Sequence, residues 1–279
     1  MTDIQALILG IVQGLTEFLP VSSSGHIAIA QALFQLKDPG VTFAIALHIA
    51  TLLAVLAAFW ADVARVAVGV AGGLLSIISG RARATSLWRK NRGFRVGVLL
   101  LIASIPAGIV GVFFSATIDR LFGSLLIVGL MLLLTGILLW IADSIRAKGM
   151  PLKEYRSAPA FVVGLFQAAA VLPGLSRSGT TITAGRLTGL DREGAARFSF
   201  LLSIPTILGA ALVDFRDLLG AAATGLGRPL FIGMGAAAVV GYAAIVLVMR
   251  LVKAGRLRVF AYYCWAVGSA VMLWQLLGR

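Results

Sequence analysis

Between Gln13 and His26 the chain reads Q-G-L-T-E-F-L-P-V-S-S-S-G-H, an acid, three hydroxyls and an imidazole in an otherwise apolar N-terminal segment. Gln13 and Glu17 are four residues apart, which puts them on one face of a helix, one turn above the other. Pro20 lacks an N–H and biases Leu19 away from helical angles, so the pattern predicts a helix that stops there. Ser22, Ser23 and Ser24 are residue types that cap a helix N-terminus, Gly25 lets the backbone come close, and His26 falls in the first turn of a second helix. The free N–H groups and dipole of that second helix would cradle a phosphate or carboxylate. One helix break thus carries a carboxylate on one side and an anion cradle on the other.

A second break, P-G-L-S-R-S-G at 173–179, separates short apolar pieces at 159–173 and 179–190. With a shift of 154 residues, Gly10, Gln13, Ser22, Ser24 and Gly25 fall on Gly164, Gln167, Ser176, Ser178 and Gly179. Glu17 falls on Val171 and His26 on Thr180, so two copies of one scaffold have divided the chemistry. Arg177 stands between Ser176 and Ser178, with Gly174 and Gly179 close by. Its planar fork suits phosphate oxygens, and the hydroxyls and N–H groups around it would complete the cradle.

The elements that hold these groups belong in a membrane. Of 279 residues, 59% are hydrophobic and only 13% charged, and the mean hydropathy is +0.99. A soluble domain would carry about 25% charged residues. Full crossings fit residues 42–61, 94–115, 122–143, 196–214, 229–250 and 258–277, near the roughly 20 residues that a bilayer requires. Residues 4–18 with 25–35, and 159–173 with 179–190, are too short to span singly and pair as two re-entrant hairpins. Residues 63–79 fit either a surface helix or a partial insertion. The N-terminus has no basic region of the kind that marks a cleaved signal peptide. Lone Cys264 excludes an internal disulfide or a cysteine metal cluster.

The net charge of +13 lies in loops rather than along a nucleic-acid face, so anionic lipid is its expected counterpart and nucleic acid is not a partner. The loop at 62–93, the loop at 144–158 and the turn with Arg250, Lys253, Arg256 and Arg258 are basic, which makes them cytoplasmic. The opposite side keeps Lys37, Arg120, Arg216, Arg228 and Arg279. Both termini are then outside. The expected fold is all-α: a single polytopic membrane domain over 1–279, an inverted-topology repeat of halves 1–143 and 159–277, with two re-entrant hairpins and six full crossings. Such broken helices meet near the midplane, which would bring Glu17 to Arg177.

Each residue has a plainer reading as well. Glu17 could be a helix-end acid paired to a structural arginine, though an intramembrane carboxylate is functional by default. Gln13 could glue helices together, Arg177 could cap carbonyls, and the serines could cap helices only. His26 lies three residues after Ser23, within reach on a first turn, which suits acid–base activation of a hydroxyl. His48 sits in a full crossing with no polar company and is expected to pack or to hydrogen-bond. Arg186, Arg192, Arg197, Asp191 and Glu193 look like a solvated boundary. There is no P-loop, G-x-G-x-x-G or H-E-x-x-H.

On these motifs the sequence resembles the undecaprenyl-diphosphate phosphatase family, also called the bacitracin-resistance family. Besides residues 13–26 and 173–181, R-F-S-F-L-L-S-I-P at 197–205 fits the family pattern, and the likeness spans essentially the whole chain. It implies hydrolysis of a C55 isoprenyl diphosphate to the monophosphate and phosphate in the bacterial inner membrane, which recycles the lipid carrier of cell-wall synthesis. The family's acidic positions land on Gln13 and Glu17, its serine and histidine positions on Ser22, Ser23 and His26, and its phosphate-binding segment on Ser176, Arg177, Ser178 and Thr181. It also implies a divalent cation, Mg2+ or Ca2+. Glu17 would be its ligand here, because Gln13 stands where many relatives carry Glu. On this reading Glu17, Ser23, His26 and Arg177 are catalytic, and Gln13, Ser22, Ser24, Ser176, Ser178 and Thr181 contact the substrate. Two nucleophiles stay open, Ser23 and a metal-activated water. Assembly of like copies is compatible with the sequence. The rival class is a cation-coupled lipid or anion transporter, since inverted repeats with broken helices also build transporters.

Overall fold

The computed structural model describes residues 1–34, 41–213 and 227–278. The expected cations Lys37, Arg216 and Arg279, and the expected helix ends at 35 and 214, lie outside the described residues. The described chain is helical, with one isolated bridge between Met150 and Leu190. The helices are α1 Asp3–Phe18, α2 Ser23–Leu33, α3 Val41–Ala58, α4 Trp60–Ile78, α5 Ala84–Lys90, α6 Arg92–Phe122 and α7 Leu125–Ser144. They continue with α8 Ser157–Ala169, α9 Arg177–Leu187, α10 Arg192–Val213, α11 Gly227–Lys253 and α12 Arg258–Leu277.

Six described helices are long and apolar enough to cross a membrane: α4, α6, α7, α10, α11 and α12. The number matches the expectation, but the set differs at one place. The stretch expected to cross at 42–61 breaks at Phe59, whose ring lies 5.8 Å from that of Phe200, and the chain restarts as α4. Residues 63–79, which fit either a surface helix or a partial insertion, are mostly α4. This helix is largely exposed and touches the start of α6, where Gly69 and Gly73 make room for Gly93 and Phe94.

The short helices of the two motifs are embedded by small-residue crossings. Gly10 and Gly14 of α1 lie against Gly233, Ala237 and Gly241 of α11; a Cβ on Gly10 would come within 2.9 Å of the Gly233 Cα. Gly164 of α8 lies against α6 in the same way, where a Cβ would meet the Ala103 carbonyl oxygen at 2.6 Å. Backbones this close exclude side chains, and van der Waals contact replaces the hydrophobic drive that lipid does not supply. At one face, Arg95 donates to the Tyr155 carbonyl, Arg197 pairs with Asp62, Arg258 with Asp143, and Lys253 with Glu193. Asp3 pairs with Arg228, at the other end of α11 from Lys253.

Arg186 departs from the solvated boundary expected of it. It is 3% exposed and donates to the carbonyls of Leu190, Ile145 and Ala147 at 2.7, 2.8 and 3.1 Å. Its guanidinium satisfies chain ends that close α7 and α9, a role set by two loops distant in sequence.

Candidate active site

Both breaks form as their residues dictate. α1 stops at Phe18, two residues before Pro20, and Leu19 adopts φ −59°, ψ 134°. Ser22 caps α2 by accepting the Gly25 N–H at 3.3 Å, and Ser176 caps α9 by accepting the Gly179 N–H at 3.1 Å. Ser22 and Ser24 share a hydroxyl contact of 3.3 Å, and so do Ser176 and Ser178. The copies differ in one respect. Ser22 has φ 73°, the one positive φ outside glycine among the described residues, whereas Ser176 has φ −66°. Left-handed backbone at a serine is costly and tends to mark functional sites.

The two breaks touch each other. Ser178 Oγ donates to the Leu19 carbonyl at 3.4 Å, the Gly174 N–H reaches Ser24 Oγ at 3.5 Å, and Gly174 carries the positive φ (91°) that such an approach requires. At the junction lies Glu17, 7% exposed. Its Oε1 meets Arg177 Nη2 at 2.5 Å. Its Oε2 accepts from Ser23 Oγ at 2.7 Å and from Gln13 Nε2 at 3.0 Å. Since the amide nitrogen must face the carboxylate, Gln13 Oε1 is left buried without a partner among the described residues. The buried carboxylate is thus paired and hydrogen-bonded, the condition for tolerating such a charge at depth.

Gln13, Glu17, Ser23 and Arg177 come together as the sequence expects, but His26 does not join them. Its Nδ1 donates to the Ser22 carbonyl at 2.8 Å, so Nε2 is the acceptor and takes the Tyr263 O–H at 2.8 Å. The two rings stack with centroids 5.6 Å apart and planes at 11°. The expected Ser23–His26 pairing is therefore replaced by Ser23–Glu17. Sequence spacing gave reach, and the first turn of α2 turns the two side chains apart.

His48 is the second correction. Its Nδ1 faces the Ala44 carbonyl at 2.8 Å, in keeping with a hydrogen-bonding role, but it does not lack polar company, because its Nε2 lies 3.7 Å from Glu17 Oε2. Its companion is on another helix, so local sequence could not show it. The available signal was an ionisable group at membrane depth, which is a functional candidate by itself.

The remaining predicted contacts serve the scaffold in this geometry. Ser22 and Ser176 are engaged in the caps, while Ser24 and Ser178 meet those cap hydroxyls and bridge to the opposite break. Thr181 donates to the Arg177 carbonyl at 2.8 Å and meets Ser199 Oγ at 2.6 Å. The Ser199 carbonyl accepts from Arg177 Nη1 at 3.4 Å. Ser199, within the motif at 197–205, thus steadies the arginine, a role the sequence alone did not assign.

A family model described as bacitracin resistance protein BacA matches residues 6–270. The chain belongs to the BacA family. Relatives named undecaprenyl-diphosphatase match nearly its whole length. One from Desulfosudis oleivorans is 44% identical, covering 98% of this chain and 98% of the relative. One from Desulfatibacillum aliphaticivorans is 40% identical over 97% and 98%. Another from Halothermothrix orenii is 40% identical over 98% of each. In BacA terms, the two motifs that carried the resemblance are the two breaks whose tips meet at Glu17 and Arg177.

Proposed function

We propose that this BacA-family chain is a membrane phosphatase that hydrolyses undecaprenyl diphosphate to undecaprenyl phosphate and phosphate, recycling the lipid carrier of cell-wall synthesis. The observation that carries the reading is the junction of Glu17, Ser23 and Arg177 at two helix N-termini. Phosphoryl transfer needs chiefly positioning and neutralisation of charge spreading over the equatorial oxygens. The Arg177 fork and the free N–H groups of α2 and α9 supply both. Ser23 Oγ attacks the terminal phosphorus as its proton passes to Glu17 Oε2, the P–O bond to the bridging oxygen breaks, and undecaprenyl phosphate departs. Water then hydrolyses the phosphoserine, releasing phosphate and restoring the hydroxyl. Arg177 exchanges its Glu17 contact for phosphate oxygens as substrate arrives. His26, held by Tyr263, orients the first turn of α2 that carries Ser23.

A divalent cation of the Mg2+ or Ca2+ type fits the donors present. Gln13 Oε1 is a buried oxygen without a partner beside Glu17, and one carboxylate plus substrate phosphates is a usual Mg2+ environment. Among the described residues no group of three or more His, Cys, Asp or Glu would hold a metal alone, so substrate would complete the ligand set. When bound, the cation would neutralise diphosphate charge.

The same reading gives the membrane arrangement: an inverted repeat whose hairpins α1–α2 and α8–α9 enter from opposite faces. Support comes from the matched crossings of α1 on α11 and α8 on α6, and from the matched serine caps. Asp3 sits at the end of α11 remote from Lys253, and α12 runs from Arg258 away from the basic loops, which supports a reading with both termini on the outer side. α3 then makes the crossing before α6, and α4 lies at the basic face, tied there by Asp62 to Arg197. A transporter is not favoured, because transport does not call for a hydroxyl hydrogen-bonded to the central carboxylate.

The test is release of inorganic phosphate from undecaprenyl diphosphate by purified protein in detergent. Turnover by the parent that is lost in Glu17→Gln supports the reading. Lipid movement in vesicles without phosphate release would replace it with transport.

A further inference from the structure

At the far end of α9 from Arg177, the loop after α7, the start of α10 and the end of α11 line an open cavity of about 400 Å³. Its wall carries five cations: Arg146 and Lys148 from the loop, Arg186 from α9, Arg192 from α10 and Lys253 from α11. Two carboxylates share the wall, and both are engaged. Asp191 Oδ1 accepts the Gly194 N–H at 2.6 Å, and Glu193 Oε1 meets Arg197 Nε at 2.9 Å and Lys253 Nζ at 3.1 Å. Among the described residues, Arg146, Lys148 and Arg192 make no ion pair.

A second observation is independent of the charge count. Arg186 is clamped by three carbonyls through its terminal nitrogens and is 3% exposed, yet its Nε is buried with no partner among the described residues. Arg192 Nε is buried and unpaired in the same way. A buried donor without an acceptor is costly, and here two guanidinium groups on one cavity wall share the defect. Both Nε atoms are closed off from the cavity, so an anion would meet the open parts of Arg146, Lys148 and Arg192 and would offset the positive charge that the two guanidinium groups add to the wall.

We infer that this cavity binds a phosphate-bearing anion, either the head group of an anionic lipid or free phosphate. Guanidinium forks recognise phosphate oxygens bidentately, the volume lies within the range of small-ligand sites, and basic pockets between membrane helices suit lipid head groups. The site is separate from the phosphatase centre. Nine residues of α9 part Arg186 from Arg177, about 14 Å along a helix at 1.5 Å per residue, so one phosphate cannot bridge them. The inference does not rest on the hydrolysis proposed above.

The test compares the parent with an Arg146→Gln, Arg192→Gln double variant, leaving the clamped Arg186 in place. Native mass spectrometry counts phosphatidylglycerol retained from nanodiscs of phosphatidylcholine with phosphatidylglycerol, and calorimetry titrates inorganic phosphate in detergent. The parent is expected to bind one of these probes at least tenfold more tightly than the double variant, with hydrolysis in detergent unchanged between them. A difference confined to phosphatidylglycerol assigns a lipid head group, and one confined to inorganic phosphate assigns a soluble anion. Equal binding of both probes by parent and variant overturns the inference. Should the double variant not fold, Lys148→Gln at an exposed loop position decides by the same comparison, with about a threefold loss expected and no loss overturning it.

Discussion

Glu17 and Arg177, 160 residues apart, form a 2.5 Å ion pair at the meeting point of two helix breaks. Neither charge is stable alone at such depth: removing one partner of a buried pair commonly costs about 3–5 kcal/mol. In the proposed mechanism the pair therefore keeps Arg177 in a satisfied state until the substrate's phosphate competes for it. Arg177→Lys keeps the charge but not the fork, and is expected to lower kcat/KM by about 100-fold, roughly 2.7 kcal/mol of transition-state stabilisation. Near-parental phosphate release by the lysine variant would reduce Arg177 to a point charge.

Ser23 is 2.7 Å from Glu17 Oε2, so in the proposed mechanism the carboxylate rather than His26 is the base that receives its proton. Ser23→Ala is expected to lower kcat and kcat/KM together by about 1,000-fold or more, the pattern of a lost transition-state partner. Rapid quenching with diphosphate labelled on its terminal phosphorus should place label on the parent protein. No label, with residual kcat only about 10–100-fold down, would leave water as the nucleophile and Ser23 as a hydrogen-bonding group worth about 1.5–3 kcal/mol.

The two histidines should separate in effect. His48→Ala removes a group 3.7 Å from the central carboxylate and is expected to lower kcat by about tenfold, near 1.4 kcal/mol. Tyr263→Phe removes one hydrogen bond to His26 but leaves its contact with the Ser22 carbonyl, so a loss of about threefold is expected. Steady-state kinetics on both variants checks the order. A larger loss in Tyr263→Phe than in His48→Ala would return His26 to the centre of the chemistry.

The crossing of α1 on α11 depends on Gly10, where any side chain meets the Gly233 backbone. Gly10→Leu is expected to cost about 1–3 kcal/mol of stability through overpacking and to displace Glu17, two turns further along α1. Thermal unfolding in detergent measures it, with Gly72→Ala as the control, since nothing lies within 4 Å of a Cβ there. Equal midpoints for the two variants would mean that α1 can shift without penalty.

At the basic face, burial pushes the Tyr155 phenol up to about 12 from 10.0, although its hydroxyl contact with Thr188 (2.5 Å) pulls the other way. Because the folded value is raised, the neutral phenol's stabilisation is complete below about pH 10 and is lost as pH rises towards about 12. Tyr155→Phe should flatten the fall in unfolding midpoint over that window, while losing one hydrogen bond, about 1 kcal/mol, at every lower pH. An unchanged alkaline fall in the phenylalanine variant would assign it to other groups.

Much of this was determined by sequence because it depends on local covalent chemistry. Pro20 ends α1 wherever it folds, Ser22 and Ser176 cap the helices that follow them, and apolar runs of crossing length demand a bilayer. The motif residues identify the family, and equal spacing around two breaks that meet near the midplane implies the pairing of Glu17 with Arg177. Tertiary structure decided which side chains speak to one another across helices. It turned His26 to Tyr263 and Ser23 to Glu17, brought His48 from α3 to the same carboxylate, and buried Arg186 among carbonyls of two loops. The physical reason is common to all four. A polar group at depth takes whatever partner the fold brings within about 3–4 Å, and that partner comes from another helix, at a distance in sequence that no local period encodes.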